Sequence, residues 1–217
     1  MVLRVLGDSH SLWSYAGIEE ARIYWRGPRT MHRAARDGIE SLVPWWLRFK
    51  ADDYLILSFG DIDARVHIPR LAKLNGRTEL QEVELLCDRF QTALDEFRSR
   101  CPATIAVSCL IPFPPDYDGD HGKQREIRNR MNERLSSLGV PFIDYRAAFD
   151  AGDGTIRKDL WDQTVHILPS AARPVAIAVE HALGIKTTPA EIPARLKARA
   201  EPRRIFGYAF RFLKMQG

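Results

Sequence analysis

Three short stretches of this chain carry side chains that could do covalent chemistry together. Gly7-Asp8-Ser9-His10 closes an apolar run and leaves a hydroxyl at its carboxyl end. Asp162-Gln163-Thr164-Val165-His166 offers an imidazole four residues after a carboxylate, with Asp159 as a second carboxylate nearby. Between them lies Phe59-Gly60-Asp61-Ile62-Asp63-Ala64-Arg65-Val66-His67, dense in charge. A serine hydroxyl is a poor nucleophile until a base takes its proton, and an imidazole base needs an acceptor that fixes its tautomer. Ser9, His166 and Asp162 supply those three functions, so the chemistry they suggest is acyl transfer through a covalent intermediate. Each piece also has a plainer reading. Asp8 and Ser9 are both favoured helix N-caps, and a lone loop histidine is more often a hydrogen-bonded structural residue. His67, with Asp63 and Arg65 two residues apart before it, is a rival base or a substrate-binding group.

The three stretches in combination resemble the SGNH hydrolases, the GDSL esterase/lipase superfamily, over about residues 2–183. Gly7-Asp8-Ser9-His10 is similar to the first block of that family, with His10 where the name has Leu. The resemblance implies that Ser9 is the nucleophile, that His166 and Asp162 complete a triad, and that the chain is an esterase without metal or cofactor. It also implies that Gly27, in the second block, gives its backbone N–H to the oxyanion together with the N–H of Ser9. The family's third pattern is Gly-x-Asn-Asp, and here Ile62 stands in place of the asparagine. The stretch is closer to a branch pattern Phe-Gly-Glu-Ile-Asp-Cys-Arg-x-His. Since Ile62 cannot donate a hydrogen bond, Arg65 is the expected replacement donor, against the alternative of a surface pair with Asp61 or Asp63. Asp8, Asp63 and His67 are the remaining substrate-binding candidates. Small acyl esters, O-acetyl groups on carbohydrate among them, are the substrates the resemblance implies. An acyltransferase acting on a sugar and an inactive glycan- or protein-binding domain are the alternatives.

Chemistry at the ends of such stretches requires strands to deliver them. Val2–Leu6, Tyr54–Phe59, Ala103–Leu110 and Val140–Asp144 are short β-branched or aliphatic runs ended by turn residues, and Ala21–Trp25 alternates as a short strand does. Helical patterns separate them. Thr78 and Gln81 have capping-box spacing, and Leu80, Val83, Leu86, Phe90, Leu94 and Phe97 follow at threes and fours. A helix over 123–138 puts Ile127, Met131 and Leu135 on one side and Arg125, Arg128 and Arg130 on its surface. Residues 168–183 form the closing helix. Gly38 to Lys50 has a mostly helical spacing with Pro44 inside it, and Trp45-Trp46 is expected to be core or interface. Strands alternating with helices predict a parallel sheet covered on both faces. The resemblance adds the flavodoxin-like order of a three-layer α/β/α sandwich with five strands. In such sheets ligands bind beyond the carboxyl ends of the strands, where Ser9 would lie.

At 217 residues and 45% hydrophobic content, one domain over 1–185 is expected, followed by a tail over 186–217. The tail holds eight Lys/Arg against Glu191 and Glu201, a charge of +6, which leaves −2 of the total +4 for the body. The basic character therefore argues against a nucleic-acid face on the domain. In the tail, Phe206, Tyr208, Phe210 and Phe212 alternate among basic residues, which suits docking to an anionic membrane surface or a partner protein, or folding back on the domain. No apolar run is long enough to span a bilayer, and the start runs straight into the first motif, so no signal peptide is expected. Cys87, Cys101 and Cys109 are an irregular, odd set, read as reduced core thiols of a cytoplasmic protein. Asp116, Asp118 and Asp120 resemble a calcium loop, but His121 and Ile127 stand where its glycine and glutamate belong. An acidic loop beside the site mouth is the reading that remains.

Overall fold

The computed structural model describes residues 1–24 and 29–191. Gly27 and the aromatic part of the tail, with Phe206, Tyr208, Phe210 and Phe212, lie outside them. Five parallel strands, β1 (Leu3–Gly7), β2 (Ala21–Tyr24), β3 (Tyr54–Ser58), β4 (Thr104–Ser108) and β5 (Phe142–Ile143), stand in the order β2-β1-β3-β4-β5. This is the flavodoxin-like order expected. The central strands read as continuous apolar runs because both of their faces are covered. Leu55 and Leu57 of β3 point into one buried cluster, and Ile56 between them points into the other.

The first cluster is closed by α2 (Met31–Asp37), α4 (Glu79–Arg98) and α5 (His121–Ser136), which contribute Met31, Phe90, Leu94, Ile127 and Met131. The second is closed by α1 (Ser9–Tyr15) and α7 (Ala172–Leu183) through Tyr15, Val175 and Val179. Helix α4 starts with the capping box expected at Thr78 and Gln81. Helix α5 begins earlier than its apolar spacing suggests, because Asp120 accepts from the N–H of Lys123 and caps it. Three short helices were not read from the sequence, α2, α3 (Ile68–Asn75) and α6 (Arg146–Phe149).

Two expectations are corrected. Residues 39–42 make only a single 3-10 turn, and no helix continues to Lys50. Pro44 disfavours helical backbone at the residue before it, and Val43 is extended at φ −75°, ψ 130°. With the helix gone, Trp45 is 83% exposed and Trp46 47% exposed, so neither is core; Trp46 leans on the ring of Tyr24. Arg128 is the second correction. It is buried in α5 and not on its surface.

The start of the tail stays with the domain. Pro189 bridges Ile18, the N–H of Glu19 donates to the Thr188 carbonyl and the N–H of Ala190 to that of Gly17, both at 2.9 Å. Among the described residues, no helix is long and apolar enough to cross a membrane.

Strands β1 and β3 run in register with Gly7 beside Ser58. A Cβ on Gly7 would lie 2.2 Å from the Ser58 carbonyl oxygen and 2.8 Å from Ser11 Cβ. The glycine of the first motif is therefore needed for space between backbones. Gly7→Ala should destabilise the protein by about 1–3 kcal/mol, read from the midpoint of chemical denaturation. An unchanged midpoint would show that the strand ends can part at no cost.

Candidate active site

The first motif divides its work between two residues. Asp8 is the helix cap: its side chain accepts from the N–H of His10 at 2.9 Å, and its carbonyl accepts from Ser11 Oγ at 2.7 Å. Ser9 is thereby freed from capping. It is the first residue of α1, and its Oγ lies 2.8 Å from His166 Nε2.

The histidine comes from a small closed loop. Trp161 bridges Ile167, the N–H of Asp162 donates to the His166 carbonyl, and Trp161 Nε1 donates to the Thr164 carbonyl. Asp162 Oδ1 accepts from the N–H groups of Thr164 (2.8 Å) and His166 (3.1 Å). At the tip of the loop Gln163 takes a positive φ of 64°. Asp162 thus holds the loop's backbone as well as facing the imidazole, its Oδ2 being 3.4 Å from His166 Nδ1. Thr164 Oγ1 stands between them, donating to Asp162 at 2.7 Å and lying 3.1 Å from His166 Nδ1. The Nδ1–H therefore has a hydroxyl and a carboxylate to donate to, which leaves Nε2 as the acceptor facing Ser9. The Trp13 ring is stacked on His166 with centroids 5.1 Å apart. Asp159, the other carboxylate of the late motif, is exposed and paired with Arg157.

Burial pushes the His166 pKa below its ordinary value; Asp162 opposes this and His10 adds to it. An imidazole held neutral in this way can accept a proton near neutral pH. For Asp162, burial works against its charge, but hydrogen bonds from His166 and Thr164 outweigh it and the pKa is lowered.

Beneath this pair lies a buried charge network. Asp61, only 4% exposed, receives Arg128 at 2.6 Å, Arg65 Nε at 2.7 Å and faces His10 Nε2 at 3.2 Å. Burial disfavours its charge, but Arg128, His10 and Arg65 together hold its carboxyl well below the usual carboxylate range. Arg128 also donates to the Ile111 carbonyl at 2.7 Å, fixing the segment after β4. The pair of Arg65 with Asp61 is thus part of a buried network and not a surface pair.

The middle motif is helical from Asp61 onward. Residues 63–67 form a π-helical turn in which the N–H of Ile68 donates to the Asp63 carbonyl. Gly60 precedes it at φ +113°, a conformation that favours glycine. Asp63 is fully buried and turned to a structural duty: its oxygens accept from the N–H groups of Met31 (2.7 Å) and His32 (3.2 Å) at the start of α2. His67 lies with its ring 6.0 Å from that of His32, and burial and neighbouring positive charge lower the pKa of both. The structure thus brings Ser9, His166, Asp162 and Asp8 together, with Arg65 in the network below. It gives Asp63 and His67 other partners.

His10, Thr164, Trp13, Asp61 and Arg128 were not read from sequence as parts of the site. Only His10 carried a signal, as the departure from Leu in the first motif. Among the described residues, no group of His, Cys, Asp or Glu is arranged to hold a metal ion. A cavity of about 970 Å³ opens between α5, β5 and α7 and is lined by neither Ser9 nor His166.

No family model matches the sequence, and no curated protein matches it. Solved structures match the fold. A member of the lipolytic G-D-S-L family from Veillonella parvula is 15% identical, with a TM-score of 0.55 over 85% of this chain and 98% of that one. A catalytic mutant of an acetylxylan esterase from Geobacillus stearothermophilus is 15% identical, TM-score 0.56, over 85% and 94%. Phospholipase A1 from Streptomyces albidoflavus is 13% identical, TM-score 0.54, over 83% and 98%. The chain therefore has the α/β fold of the SGNH/GDSL hydrolases.

Burial raises the pKa of Asp63 to about 7, against the two N–H donors that lower it. A carboxyl with a raised folded pKa gives stability that is complete below its unfolded value, near 4, and lost as pH rises through the folded one. Asp63→Asn keeps an acceptor for Met31 and cannot ionise. Its stability relative to wild type should therefore rise by more than about 1 kcal/mol between pH 4 and 7.5, measured by urea denaturation. A difference that stays constant with pH would mean that Asp63 is ionised as an ordinary cap.

Proposed function

We propose that this protein is a serine esterase that cleaves small acyl esters through an acyl-enzyme on Ser9. The observation that carries the reading is the 2.8 Å contact of Ser9 Oγ with His166 Nε2, while the other ring nitrogen faces Thr164 and Asp162. Ser9 Oγ attacks the ester carbonyl as His166 takes its proton. The tetrahedral intermediate collapses, the C–O bond to the alcohol breaks, and His166 returns the proton to the leaving oxygen. Water then attacks the acyl-enzyme by the same route and releases the acid. The N–H groups of Ser9 and Gly27 receive the oxyanion in this reading, and Arg65 supplies the donor that Ile62 lacks. O-acetyl groups on carbohydrate are the proposed substrates, supported by the fold shared with an acetylxylan esterase. A cytoplasmic location is supported by three cysteines that are all unpaired.

A fluorophosphonate probe tests the nucleophile without knowledge of the substrate. The wild type should label, His166→Ala should label at least ~10³-fold more slowly, and Ser9→Ala should not label. Labelling that survives Ser9→Ala would remove Ser9 from the mechanism. For Arg65, the expected result on an activated acetyl ester is a kcat lowered by about 10²–10³-fold in Arg65→Ala with little change in KM. A change in KM alone would make it a substrate anchor, and an unchanged kcat would confine it to the Asp61 network.

A further inference from the structure

His10 stands where both ring nitrogens meet oxygen acceptors. Its Nδ1 is 3.3 Å from Asp8 Oδ1, while its Nε2 is 2.8 Å from the Val165 carbonyl and 3.2 Å from Asp61 Oδ2. A neutral imidazole carries one N–H, so either tautomer would point a lone pair at an oxygen lone pair on one side. Only the doubly protonated ring can donate on both. The ring is 6% exposed, so water cannot relieve the mismatch, and its centroid is 4.7 Å from that of His166.

We infer that His10 is a positioning residue held as an imidazolium, whose clasp on the Val165 carbonyl fixes His166 against Ser9. The clasp joins the first motif to the residue directly before the base, and Asp61 joins both to Arg65 and Arg128. The charged groups facing His10 are Asp8 from the β1–α1 junction, Asp61 and Arg65 from the middle motif, and His166 from the late loop. Burial opposes the charge on His10, but Asp61 and Asp8 outweigh both burial and Arg65, and its pKa is raised. The imidazolium is then complete below the ordinary histidine value and lost as pH rises through the raised one. His166, with its lowered pKa, is the free base above that lower value. The two histidines therefore bound a pH window, His166 on the acid side and His10 on the alkaline side.

The inference rests on Ser9 as nucleophile, and the test separates the two. The rate of fluorophosphonate labelling is followed against pH in wild type, His10→Gln and His10→Leu. In parallel, ¹⁵N NMR reads the protonation of His10 in Ser9→Ala, which needs no activity. Wild type should show a bell-shaped profile. His10→Leu, which cannot hold Val165, should label about 10²-fold more slowly at the optimum. His10→Gln keeps one N–H donor without a titrating charge. It should recover most of the rate and lose the alkaline fall. The NMR should show both His10 nitrogens protonated at pH 6.5. A neutral His10 at that pH, or an alkaline limb unchanged in His10→Gln, overturns the inference. So does full-rate labelling of His10→Leu. Both nitrogens protonated in a protein that no probe labels would instead overturn the nucleophile and leave the clasp standing.

Discussion

Asp61 is a carboxylate with almost no access to water, and the site is built on how its charge is tolerated there. An isolated buried charge would neutralise, and a buried pair stripped of one partner costs about 3–5 kcal/mol. Three cationic groups from three parts of the chain surround it: Arg128 from α5, Arg65 from the π-helical turn and His10 from α1. Two of them have a second duty. Arg128 fixes the Ile111 carbonyl beyond β4, and His10 reaches the Val165 carbonyl in the loop of the base. The carboxyl ends of β1, β3 and β4 are therefore tied at one charge, on the side of the sheet where an α/β fold places its chemistry.

The strands make that convergence possible. Because Gly7 pairs with Ser58, the residues just beyond them emerge side by side, and the N–H of Asp8 donates to the Ser58 carbonyl. Ser9 and Asp61 leave adjacent strand ends in this way. The base approaches from outside the sheet, on a loop whose shape is set by Asp162. A carboxylate that accepts from two backbone N–H groups of its own loop fixes the backbone and the imidazole at once. Precise placement of this kind is what turns a histidine near a serine into a base for it.

The parts of this arrangement that could be read from sequence are those with a local signature. The central strands were legible because burial on both faces leaves uninterrupted apolar runs, the edge strand β2 because its residues alternate, and α4 because capping box and apolar stripe agree. Ser9 and His166 were legible as residue types at motif ends, and their contact in space follows from the fold. What escaped depends on burial or on long-range partners. Arg128 sits among surface arginines in the sequence, and its partners, Asp61 at 67 residues' distance and the Ile111 carbonyl, account for its burial. Thr164 looks like a spacer until the loop closes around it. Asp63 reads as a member of the charged motif, yet its partners are backbone groups 31 and 32 residues distant. Residues 38–50 show the reverse failure, where apolar spacing outvoted Pro44 on paper and lost to it in the backbone. Gly27 lies outside the described residues.

The central claim is that the hydroxyl of Ser9 forms an ester with the acyl group of its substrate. Rapid mixing with p-nitrophenyl acetate tests it most directly, with the quenched protein digested and its peptides weighed. The account predicts a burst of p-nitrophenolate stoichiometric with the protein and a single acetyl group on the peptide containing Ser9. Steady release without a burst would leave the question to the trapped peptide alone. An acetyl group on another residue, or none on the Ser9 peptide, would contradict the account.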